Sequence, residues 1–140
     1  MIPEDTPAGM DNCGIASVAM LAGLTYRETE DVFIRKFNKR ETTTMFERVD
    51  VIRLLGLTVV EEMHYKKKPT LKLWVNNTYD PRYDYHVSLT GHAIALRKNM
   101  LYDQVYTSGI LPLSSPYTRK HISAYLKLGE RDDGSILQRV

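Results

Sequence analysis

Cys13, His92 and Asp103 are the side chains in this sequence whose types and spacing could together perform acyl chemistry. Cys13 is the only cysteine, and it opens a segment in which Ser17 is the single polar residue between Ile15 and Ala22. A segment apolar on all sides predicts a buried helix, and Gly23 is a C-terminal stop. A cysteine in the first turn faces the helix's unpaired N–H groups and the positive end of its dipole, which favour thiolate over thiol. The same position suits a small buried hydrophobe, and position alone does not decide between them.

His92 and Asp103 lie on either side of a predicted hairpin, Gly91 to Asp103. If Lys98-Asn99 is the turn, Arg97 pairs with Met100, Ile94 faces Asp103 and His92 faces Val105. His92 and Asp103 are then diagonal neighbours on one face. A carboxylate there could orient the imidazole and stabilise its charged form, which is the base-and-orienter half of a nucleophilic triad. Replacing Asp103 by Ala is expected to spare the fold and lower the nucleophilicity of Cys13. Asn76, Asn77 and Asp84 are the next candidates for the orienting group.

The elements that must position these residues read as helices first and strands afterwards. Residues 1 to 11 form an extended lead-in. Thr25 to Glu28 and Thr44 to Glu47 have capping-box spacing, opening helices to about Phe37 and Gly56. Strands are expected over Thr58–Glu61, Leu71–Val75, His86–Leu89, His92–Arg97 and Met100–Tyr106, with a polar, aromatic loop at 76–85. A last helix is expected over Thr118–Leu128 and a loose tail over 130–140. This order predicts a single α+β domain spanning 1–140.

Composition excludes several classes. The 140 residues are 43% hydrophobic and 26% charged, enough for a real core. One cysteine forms neither an internal disulfide nor a multi-cysteine metal site. Of the four histidines, His64, His86, His92 and His121, none has a partner at metal-ligand spacing, so no metal or cofactor is expected. The N-terminus lacks the features of a signal peptide, no apolar run could cross a bilayer, and net charge is +2. Lys66-Lys67-Lys68 reads as a solvated turn before Pro69. A cytoplasmic monomer is expected, with a peptide or protein substrate and neither nucleic acid nor membrane as partner.

A Cys-Gly at the start of a buried N-terminal helix, a Gly-His strand and a Tyr-Asp on the next strand resemble the layout of papain-like cysteine peptidases. The compact branch that includes the bacteriocin-processing, double-glycine-leader peptidase domains is most similar, through about Tyr106. The resemblance implies a papain-like fold, with Cys13 as nucleophile, His92 as general base and acid, and Asp103 as orienting residue. The family places an oxyanion glutamine six residues before the cysteine, where this chain has Pro7; Asn12 is the nearby oxyanion candidate, and Gln104 and Gln138 are far downstream. Two functions are therefore carried forward. One is a thiol hydrolase cleaving a peptide, isopeptide or related amide bond through a thioester acyl-enzyme. The other is a catalytically weakened papain-like fold that binds a protein partner.

Overall fold

The computed structural model describes residues 1–130. It is an α+β fold in which helices α1 (Cys13–Ala22), α2 (Tyr26–Phe37) and α3 (Met45–Leu54) precede a sheet of β1 (Val59–His64), β2 (Tyr83–Leu89), β3 (His92–Arg97), β4 (Met100–Tyr102) and β5 (Ile122–Glu130). Helix α4 (Leu71–Asn77) joins β1 to β2. The sheet is antiparallel throughout, in the order β1-β5-β2-β3-β4.

Local chemistry explains the helices. The threonines at 25 and 44 each accept the backbone N–H three residues on, and Glu28 and Glu47 return the bond, so both capping boxes form. Gly23 ends α1 in the left-handed conformation, at φ 70°. The lead-in does more than drape. Asp5 accepts the N–H groups of Tyr26 and Arg27 at the start of α2, 2.8 and 3.0 Å away, and Ile2 is buried.

The sheet is covered on both faces. On one, α1 to α3 pack Ile15, Val18, Leu21, Phe33, Val51 and Ile52 against Ala95, Leu126 and Leu128. Small side chains, Ala16 and Ala19 on α1 and Ala93 and Ala95 on β3, let α1 lie close to the strand. On the other face α4 sets Leu71 and Trp74 against Tyr85, Val87, Ile94, Leu96 and Tyr125.

Two expectations are overturned. Leu71–Val75 is not a strand: Thr70 caps a helix by accepting the Leu73 N–H, and the buried residues Leu71 and Trp74 are three apart. Thr118–Leu128 is not a helix. Ile122, Ala124, Leu126 and Leu128 are buried at period two and belong to β5, which pairs with both β1 and β2. The 76–85 loop is shorter than expected, since β2 begins at Tyr83. The predicted tail from 131 onward lies outside the described residues.

The hairpin adopts the expected register, with Arg97 paired to Met100, Leu96 to Leu101 and Ala95 to Tyr102. Lys98 and Asn99 both have positive φ, 50° and 63°, as a twist-matched two-residue turn requires. Pairing stops at Tyr102, so the expected strand to Tyr106 is cut short and His92 does not face Val105, which is exposed. The Asp103 carboxylate takes over the next backbone donors and turns the chain.

Candidate active site

Cys13 is the first residue of α1, entered through a short 3-10 turn, Met10–Asn12. No side chain among the described residues caps this helix. Gly91 turns the chain from β2 into β3 at φ 73°, bringing His92 to the start of a central strand.

His92 is 6% exposed and donates from Nε2 to Asp103 Oδ2 over 2.8 Å. Because a carboxylate only accepts, Nε2 carries hydrogen, so Nδ1 is the nitrogen at which the ring gains and loses its proton. Nδ1 is buried and completes no hydrogen bond of regular geometry among the described residues, and the Cys13 sulfur is close enough to act on the ring's charge. Asp103 is fully satisfied. Its Oδ1 accepts the N–H groups of Val105 and Tyr106 at 2.9 and 2.7 Å, and its Oδ2 also accepts the Tyr117 hydroxyl. The Tyr117 ring lies against that of His92, centroids 5.2 Å apart. An alanine at position 103 would thus undo a turn as well as an orienting contact.

The electrostatics favour an ion pair. Burial pushes the His92 ring down, but the Asp103 hydrogen bond and the Cys13 sulfur outweigh it and raise the ring to about 9. Burial pushes the Cys13 thiol up. It is outweighed by the neighbouring His92 ring, the Ala93 backbone N–H and the positive charges of His92 and Arg48, so the thiol titrates below its ordinary value. Both shifts favour the thiolate–imidazolium pair over the neutral pair.

Cys13 and His92 open onto a cleft of about 320 Å³, whose walls include Thr43, Arg48, Ser88 and Ala93. Arg48 is 6% exposed and bonds from Nε to His86 Nε2 over 2.8 Å. His86, fully buried, uses Nδ1 to reach Ser17 Oγ at 2.7 Å, and the serine hydroxyl donates to the Ile94 carbonyl. Ser17, the lone polar residue of the apolar helix, was the visible trace of this chain. Arg48 and Tyr117 gave no sequence signal, one being an ordinary polar residue of a helix and the other a loop residue after Pro116.

The remaining candidates are placed elsewhere. Asn12 donates its side-chain amide to the carbonyls of Pro7 and Ala8 and accepts the Tyr26 hydroxyl. Gln104 likewise donates to the Pro7 and Gly9 carbonyls, and Gln138 lies outside the described residues. Asp84 is ion-paired with Arg97 at 2.8 Å. Asn76 and Asn77 end α4, exposed. His64 pairs with Glu62 and stacks on Phe46, and His121 is exposed beside Thr70. Among the described residues no group of three or more His, Cys, Asp or Glu could hold a metal ion, and no helix is long and apolar enough to cross a membrane.

Compared with known proteins, the chain matches no family model, no curated protein and no solved structure.

Proposed function

We propose that this protein is a papain-like thiol hydrolase that cleaves a peptide, isopeptide or related amide bond. The observation that carries the reading is the buried Asp103–His92 pair, whose basic ring nitrogen is left to the one cysteine of the chain. In this mechanism the Cys13 thiolate adds to the carbonyl carbon, and the resulting oxyanion is held by the backbone N–H groups at the uncapped start of α1. The proton on His92 Nδ1 passes to the leaving nitrogen, the C–N bond breaks and the amine departs, leaving a thioester. Water then attacks the thioester as Nδ1 takes its proton. The C–S bond breaks, freeing the acid and restoring thiolate and imidazolium. A mechanism that needs a free thiol fits a reducing compartment such as the cytoplasm.

A second reading, a binding module with weakened chemistry, is favoured by one observation: the Asn12 and Gln104 amides are both engaged by backbone carbonyls. Lacking one oxyanion donor costs about 10²–10³ in turnover. Incubation with a proteome-derived peptide library, followed by mass spectrometry of products and of adducts on Cys13, separates the two. Hydrolase action predicts new peptide termini and a thioester-linked adduct with wild-type protein, both lost in Cys13→Ala. Reversible capture of peptides without products, equal in Cys13→Ala, would refute it.

A further inference from the structure

The wall of the cleft beside Cys13 contains a buried cation that forms no salt bridge with a carboxylate of the described residues. Arg48 is 6% exposed, and no carboxylate of the described residues lies within salt-bridge distance of it. Its partners are all neutral acceptors. Nε is held by His86, and Nη1 by the Thr43 carbonyl at 2.6 Å and the Thr43 hydroxyl at 3.2 Å. Nη2 is held least well, by Ser88 Oγ at 3.4 Å and Met45 Sδ at 3.7 Å. The His86–Ser17 relay runs away from the guanidinium and ends on a backbone carbonyl, so it supplies no negative charge. The Cys13 thiolate and Glu47 act on this charge through space without pairing to it, so the guanidinium, the cation best shaped for a carboxylate, is left with neutral hydrogen-bond partners.

Position adds a second argument. A Cβ on Gly14 would stand 2.8 Å from Arg48 Cδ, 3.0 Å from Nη1 and 2.4 Å from Thr43 Oγ1. The residue after the nucleophile is therefore a glycine where the guanidinium needs the room. Asp11, exposed, is the one acidic residue lining the cleft among the described residues.

We propose that the cleft takes a substrate bearing a carboxylate, which docks on the Nη edge of Arg48 while the scissile carbonyl lies at Cys13. Arg48 is then a specificity-determining residue. This rests on the reading of Cys13 as a reactive thiolate. The carboxylate is a chain terminus or an Asp or Glu side chain of the substrate.

Iodoacetate and iodoacetamide test this directly, because the same sulfur displaces iodide from each and they differ in one charge. The iodoacetate-to-iodoacetamide rate ratio at Cys13, relative to that of glutathione, is expected to fall about tenfold or more in Arg48→Gln, as loss of a charge-assisted hydrogen bond implies. The iodoacetamide rate should change less, with the fold checked by circular dichroism. A ratio unchanged in a folded Arg48→Gln protein overturns the inference, even if both rates fall together. That outcome would make Arg48 a counter-charge for the thiolate only. Cys13 inert to both reagents in the wild type would instead sink the hydrolase reading, and this inference with it. A second arm needs no variant. A neutral peptide with a free C-terminal carboxylate, and its amidated analogue with one internal Glu, are each used to protect wild-type Cys13 from iodoacetamide. Protection by one and not by the neutral amidated control supports the inference and names the source of the carboxylate; protection by neither overturns it.

Discussion

Asp103→Asn isolates the charge of the orienting group from its role in the fold. The carboxylate's Oδ1 faces two backbone donors, the N–H groups of Val105 and Tyr106. The introduced amide must therefore turn its carbonyl toward them, which aims its NH₂ at His92 Nε2. An imidazolium cannot face that donor, since both would be offering hydrogen. The ring is forced into the neutral tautomer with its proton on Nδ1, the nitrogen that would otherwise act as base. His92 should fall from about 9 to below its ordinary value of about 6.5, worth about 3 kcal/mol or more of lost preference for the charged ring. Burial then dominates at the thiol as well, and Cys13 should titrate at or above its ordinary value. Alkylation by iodoacetamide, followed by mass spectrometry from pH 5 to pH 10, reads both. At pH 6 the rate is expected to drop about 100-fold while the circular dichroism spectrum is kept. Asp103→Ala should differ in kind, because it strands four donors in a buried site. A cost of about 3–5 kcal/mol, or roughly 10–15 °C in Tm, is expected. An Asp103→Asn protein that folds and keeps the wild-type alkylation profile would refute the reasoning.

Tyr117→Phe keeps the ring against His92 and removes one hydrogen bond to Asp103; a chemical denaturation curve should show a loss of about 1 kcal/mol, and turnover should fall far less than in Asp103→Asn. Gly14→Ala places a methyl group 2.4 Å from Thr43 Oγ1, so it should cost about 1–3 kcal/mol and slow alkylation of Cys13, both read on the purified variant. His86 is fully buried, and burial followed by the charge of Arg48 holds its pKa well below the ordinary value. It stays neutral in the fold while the unfolded ring gains a proton below pH about 6.5, so its stabilising effect is present above that pH and lost below it. Stability should fall by about 1.4 kcal/mol per pH unit on acidification from there, and His86→Gln should flatten that slope in urea titrations.

The helical half was legible because its signals are local. Capping boxes at Thr25 and Thr44, the apolar run after Cys13 and the glycine at 23 each act within a few residues. The β3–β4 turn was legible for the same reason, and with it the nearness of His92 to Asp103. What failed was decided at a distance. β5 is buried on both faces, so Tyr125 joins the period-two set and blurs it toward helix. The segment at 71–77 carried one local signal, the Thr70 cap, but its helix is fixed by Leu71 and Trp74 packing on the sheet face opposite α1 to α3. In the site, the cysteine and histidine announced themselves by type. Arg48 and Tyr117 did not, since only the packing of α3 on β2 and of the 112–118 loop on β3 gives them a role.

The placement of β5 has a consequence for how the molecule is made. As residues emerge one at a time from a ribosome, β1 has no strand to pair with and β2 has one open edge until 122–130 have been synthesised, because β5 lies between them. The early helices can form in the meantime, as their contacts are short in sequence. The core that α1 joins also includes Leu126 and Leu128 of β5, which are added after the other strands. Nascent chains would thus carry Cys13 on α1 before the core around that helix is closed. Arrest of translation before residue 122 should leave that thiol without the acidity that the finished protein confers.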